Sequence, residues 1–100
     1  MAIEIKWTRQ AVETFKNNIN YLEENWGSKE IAKFVRETEK IIDRLQKYPE
    51  SYHPGTKDKR YRRIRINKRM ILFYRYFESK NKISLITFWH VRQDPSLLKY

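Results

Sequence analysis

A chain of 100 residues with 40% hydrophobic and 34% charged side chains suits a single folded domain spanning 1–100 and excludes a disordered polymer. Its lack of cysteine excludes disulfides, thiolate metal sites and cysteine nucleophiles, and no apolar run nears the ~20 residues of a membrane span. The net charge of +10 is concentrated: residues 1–56 carry nine basic and nine acidic side chains, whereas 57–75 carry nine basic and one acidic, Asp58.

Taken in order, Ile3-Glu4-Ile5-Lys6-Trp7 alternates apolar and polar, the period of a half-buried strand. This start reads as neither a signal nor a transit peptide, and with no cysteine it points to the reducing cytoplasm. Thr8 is a good N-cap, and Ala11, Val12, Phe15, Ile19, Leu22 and Trp26 recur at steps of three and four. The spacing predicts a helix over 9–25, stopped by Gly27. Ser28 caps a second predicted helix, 29–47, whose stripe is Ile31, Phe34, Val35, Thr38, Ile41, Ile42 and Leu45. So short a link folds the two helices into a hairpin that must cover another layer.

Pro49 ends that helix, and 49–59 reads as a loop containing Pro54 and Gly55. His53 in this loop has no second ligand at useful spacing, so no metal site is expected. Three strands follow, at 60–66, 70–77 and 83–89. The near-continuous apolar run Met70–Phe77 marks a central strand with both faces covered. The links at Asn67-Lys68-Arg69 and Glu78–Lys82 are short enough to join antiparallel neighbours, and a short turn is expected at Pro95–Leu98. The fold class is therefore α+β, order β-α-α-β-β-β, with a helical hairpin on one face of an antiparallel sheet. The opposite face, with Arg, Tyr and His mixed into it, is where a site is expected.

Within that order, Leu45 followed by Pro49, the pair Tyr61-Arg62, the run Ile71-Leu72-Phe73-Tyr74-Arg75 and the strand end Trp89-His90-Val91-Arg92-Gln93-Asp94-Pro95 form an ordered set. On these features the chain resembles the RelE/ParE superfamily of bacterial toxins. The resemblance implies a type II toxin, encoded beside a cognate antitoxin that wraps and silences it, and able to halt growth when released. RelE-type members cut mRNA in the ribosomal A site; ParE-type members share the fold and poison DNA gyrase. RelE-type nucleases carry an arginine on the third strand in a pattern Arg-Leu-Val-Tyr, where this chain has Ile71-Leu72-Phe73-Tyr74. Arg92 fits their arginine after the last strand, but Leu98 stands where a tyrosine often follows, with Tyr100 two residues on. The apolar-apolar-Phe-Tyr-Arg reading fits ParE-type chains better. The resemblance therefore implies gyrase inhibition first, a ribosome-dependent, metal-independent endoribonuclease second, and leaves open a non-toxic nucleic-acid-binding module.

RNA cleavage without a metal needs a general base, cations for the phosphorane and an acid for the leaving oxygen. His90 and Arg92 are the catalytic candidates, since histidine titrates near neutrality and arginine is a permanent planar fork. Against this stands a His90 that merely ends a strand. Target-binding candidates are Arg60, Arg62, Arg63, Arg65, Lys68, Arg69 and Arg75, with Tyr74 as a stacking surface. Alternation puts Arg63 and Arg65 on one face and Arg62 on the other with Ile64 and Ile66. A solvated edge strand guarded by charge is the plainer reading of this run, but nine cations to one anion exceed what that role needs. An anionic partner is expected: nucleic acid, a DNA–gyrase complex, ribosome-bound mRNA or an acidic antitoxin segment. No phosphate-binding glycine loop, membrane contact or small-molecule cofactor is indicated.

Overall fold

The computed structural model describes residues 3–50, 60–93, 95–97 and 100. His53, Lys57, Asp58 and Lys59 lie outside the described residues. The first strand, β1, spans Glu4–Trp7 and leads directly into helix α1, Arg9–Asn25. Thr8 between them is extended, and its Oγ1 accepts from the Ala11 N–H at 3.1 Å while its hydroxyl donates to the Leu85 carbonyl at 2.8 Å. One side chain thus caps the helix and moors it to a strand far along the chain.

The buried side of α1 holds Ala11, Asn18 and Leu22, with Phe15 and Ile19 packed against the core. Two residues of the expected stripe lie elsewhere: Val12 is 36% exposed and Trp26 is 54% exposed. Gly27 stops the helix, with φ 111° and its N–H on the Leu22 carbonyl at 2.8 Å. Nothing lies within 4 Å of where a Cβ would stand, so the demand for glycine is purely conformational. Gly27→Ala is therefore expected to cost about 1–3 kcal/mol, read as a lower denaturation midpoint; an unchanged midpoint contradicts it. Helix α2 spans Ser28–Lys47, so Ser28 is its first residue rather than its cap. It buries Phe34, Thr38 and Leu45, and the Thr38 hydroxyl is satisfied by the Phe34 carbonyl at 2.9 Å.

The remaining strands are β2, Arg62–Arg65, β3, Met70–Phe77, and β4, Lys82–His90. They form the expected antiparallel meander, and β1 adds a parallel edge to give the order β1-β4-β3-β2. The sheet is therefore mostly, not wholly, antiparallel. Asn67 makes the β2–β3 turn, its Oδ1 accepting from the Arg69 and Met70 N–H groups at 2.8 and 3.0 Å. A short 3-10 turn, Glu78–Lys80, and left-handed Asn81 (φ 49°) join β3 to β4. A second 3-10 turn covers Pro95–Leu97.

A bulge breaks the β3–β4 register. Phe73 faces Thr87 and Tyr74 faces Leu85, which leaves Ile86 as the extra residue of β4. Its consequence is large, because side chains alternate with period two. Ile83 and Leu85 point to the helices before the bulge; after it Phe88 does, and so His90 falls on the same side. Both helices cover this face, and the core joins Leu22, Phe34 and Leu45 to Ile64, Leu72, Tyr74 and Leu85.

Candidate functional site

The sheet face turned away from the helices is built by alternation. Arg63 lies opposite Phe73 and Arg65 opposite Ile71, while Arg75 and Phe77 continue the same face along β3. The aromatic rings support the cations here. The Arg75 guanidinium sits 4.5 Å from the Phe77 ring centroid and 5.9 Å from that of Tyr61; Lys82 and Lys80 lie 5.5 and 5.8 Å from Phe77. Tyr61 in turn packs edge-on to Tyr100, which also meets Phe73. Among the described residues the one ion pair is Arg9–Glu13, on α1 and remote from this face. The cations of the outer face therefore have no described carboxylate neutralising them, and the face presents positive charge over aromatic carbon.

A second concavity lies on the opposite side, where α1 crosses the end of β4. Strand β1 pairs only with Lys82–Leu85, so the later part of the β4 edge needs other partners. The Phe88 N–H donates to Thr14 Oγ1 at 3.0 Å and the His90 N–H to Gln93 Oε1 at 3.1 Å. Between them opens a groove of about 440 Å³. Met70 and Phe88 form its apolar part; Asn17, Asn18 and Tyr21 come from α1, and His90, Arg92 and Gln93 from the strand end. The Tyr21 and His90 rings meet at 5.8 Å, near edge-to-face.

His90 has its pKa lowered from the ordinary histidine value by burial first, then by the charges of Arg92 and Arg69. Its Nδ1 accepts from the Arg92 backbone N–H at 3.1 Å, which leaves the proton of the neutral ring on Nε2. Because the folded state disfavours the imidazolium, the unfolded chain binds the proton more readily. Stability contributed by neutral His90 should be present above the unfolded value and be lost as pH falls below about 6.5. His90→Gln should flatten that limb in thermal melts across mildly acidic pH, and Arg92→Gln should raise the His90 pKa seen by NMR titration. A titration at or above the ordinary value would contradict this.

The structure thus divides what was expected on one surface. Arg63, Arg65 and Arg75 share the outer face, whereas His90 and Arg92 border the α1 groove on the other side. Arg62 lies on the helix side of the edge and donates to the Glu50 carbonyl at 3.1 Å. Arg65 donates to the Lys68 carbonyl at 3.1 Å, and Arg60 approaches the Tyr61 ring at 6.0 Å. Arg69 turns to Trp26, its guanidinium 4.2 Å from the indole centroid, which explains why that exposed tryptophan belongs to no core stripe. Tyr74 is corrected outright as a stacking surface: it is fully buried, with its hydroxyl on the Pro49 carbonyl at 3.0 Å. Asn18, Tyr21 and Phe77 were not anticipated. Asn18 occupies a stripe position between Ala11 and Leu22, and a polar residue there was the available signal.

Among the described residues no group of three or more potential ligands could hold a metal, and no helix is long and apolar enough to cross a membrane. No curated protein matches the chain. Solved structures with the same fold include one titled the chromosomal ParDE system from P. aeruginosa, at TM-score 0.75 and 16% identity, covering 91% of this chain and 98% of that one. A YoeB/ParE toxin from Agrobacterium tumefaciens matches at TM-score 0.64 and 16% identity, over 88% and 98% of the two chains. A free-state mutant of the E. coli toxin RelE matches at TM-score 0.66 and 13% identity, over 99% and 94%. The sequence family described as the ParE toxin of type II toxin-antitoxin system, parDE, matches residues 5–95. With nearly its whole length matched, the chain belongs to the ParE toxin family of type II toxin–antitoxin systems.

Proposed function

We propose that this toxin acts in the cytoplasm by binding DNA gyrase through the outer sheet face, without cutting RNA itself. The supporting observation is that the outer-face cations and His90 lie on opposite sides of the sheet. Arg63, Arg65, Arg75 and Lys82 share the outer face, Arg75 and Lys82 over Phe77, while His90 faces α1 on the far side of the sheet. RNA cleavage needs cations and proton carriers around one phosphate, whereas inhibition by binding needs only a complementary surface. The hydrophobic residue at position 71, which shares the outer face, agrees with this. A cognate antitoxin would neutralise the toxin by presenting an acidic and apolar segment to the cationic face or the helical hairpin.

One observation favours a second reading. His90 and Arg92 both line the groove, the Arg92 backbone N–H on His90 Nδ1 and the Arg92 charge acting on the imidazole, a pairing of residue types that a ribonuclease could use. The two readings separate in cells expressing the chain without antitoxin. Gyrase inhibition predicts changed plasmid supercoiling and intact transcripts at the onset of growth arrest. Fresh mRNA 5′ ends by primer extension, with unchanged plasmid topology, would overturn the gyrase reading in favour of the second.

A further inference from the structure

The groove between α1 and the end of β4 has no part in gyrase binding as proposed above, and its chemistry points to a ligand of its own. Its volume of about 440 Å³ lies in the range of small-molecule sites. Met70 and Phe88, only 2% and 3% exposed, close the groove with a narrow apolar floor. Tyr21 and His90 add aromatic edges. Asn18 supplies the specific group. It is 8% exposed, lines the groove, and makes no side-chain hydrogen bond to the described residues. Among the described residues no buried side-chain nitrogen or oxygen is left without a partner, so the Asn18 amide keeps its access through the groove rather than being sealed in the core. A primary amide with one donor side and one acceptor side matches the hydrogen-bonding edge of a nucleobase.

Charge decides the remainder of the ligand. No Asp or Glu lines the groove among the described residues, while Arg92 does. Neutral His90, with its Nδ1 engaged by the Arg92 N–H, keeps an Nε2–H donor. An arginine fork next to an imidazole donor at the rim of an apolar slot suits a phosphate joined to a planar base.

We infer that this groove is a nucleotide-binding site, taking a nucleoside monophosphate with its base against Met70, Phe88 and Asn18 and its phosphate toward Arg92. The same unit could arrive free or as an unstacked residue of a single strand, and the chemistry at the groove is shared. The inference does not rest on gyrase as target.

Calorimetric titration of the full chain with the common ribonucleoside 5′-monophosphates, adenosine and inorganic phosphate tests it, alongside amide chemical-shift mapping by NMR. Saturable binding of at least one monophosphate is expected, with shifts centred on Asn18, Phe88, His90 and Arg92. Asn18→Leu should weaken it by about tenfold or more, as expected for loss of a buried polar contact. Arg92→Gln, at an exposed position, should reduce the monophosphate to the affinity of its nucleoside and leave the nucleoside unchanged. Should Asn18→Leu fail to fold, Arg92→Gln and the shift map still decide. A trinucleotide that binds more tightly than its monophosphate would identify the strand as the source; the reverse would identify the free nucleotide. Absence of saturable binding at millimolar monophosphate, equal affinity for inorganic phosphate, or shifts confined to the outer sheet face would overturn the inference.

Discussion

The double reversal Arg63→Glu with Arg65→Glu is expected to abolish growth arrest while leaving the fold intact. Both residues sit on β2, an edge strand with a neighbour on one side only, and both face away from the helices. Arg65 is exposed and its hydrogen bond to the Lys68 carbonyl is local to the turn; Arg63 is half-buried beside Phe73. Neither has a described carboxylate to lose. Stability should therefore move little, in keeping with surface substitutions. Binding to an acidic target should fall by about 10²-fold or more, because steering and contact are both reversed. Lys29→Glu with Lys33→Glu on the exposed side of α2 makes the same change in net charge and serves as the control. Retained arrest in the β2 pair, or equal loss in both pairs, would separate the outer face from function.

The largest effect on stability should come from Phe34→Ala. Phe34 is 2% exposed, and its ring stacks on Phe15 at 5.0 Å and meets Phe88 at 6.2 Å. Phe88 also lies on Trp7 at 5.4 Å. One side chain thus joins α2 to α1, and through Phe88 to β4 and β1. Truncation of such a ring costs about 3–5 kcal/mol, a large share of the stability of a domain this size. Urea denaturation should show a greatly lowered midpoint, or no folded baseline at all. A loss under about 1 kcal/mol would mean that the aromatic cluster closes over the gap and is not the centre of the core.

Local periodicity made much of this fold readable. Helix α1 begins and ends where the Thr8 cap and Gly27 stop place it, and β3 coincides with the apolar run from Met70 to Phe77. Strand β2 is shorter than its alternating pattern, because beyond Arg65 the chain is already turning through Asn67. Pairing of β1 with β4 joins Ile5 to Ile83, and nothing local in either strand announces so distant a neighbour. The same limit applies to Tyr74: a continuous apolar strand tells which residues are apolar, not which one the Pro49 carbonyl will hold.

Arg63, Arg65 and Arg75 share one face as alternation implies, whereas His90 lies on the other side of the sheet. Counting by twos from Ile83 puts His90 with the outer arginines, but the extra residue at Ile86 reverses the count. Bulges of this kind carry no compositional mark when the inserted residue is itself an ordinary strand former. Asn18 was hidden for a related reason. Helical spacing identifies positions that face inward, yet a polar residue among them is easily assigned to the solvent side.

Gyrase inhibition through the outer sheet face is tested by supercoiling of relaxed plasmid by purified DNA gyrase, with this chain added in the absence of ribosomes and antitoxin. The predicted result is dose-dependent loss of supercoiling by the native chain and by His90→Gln, and none by the Arg63→Glu, Arg65→Glu pair. Undiminished supercoiling at saturating native protein, or equal inhibition by the charge-reversed pair, would contradict it.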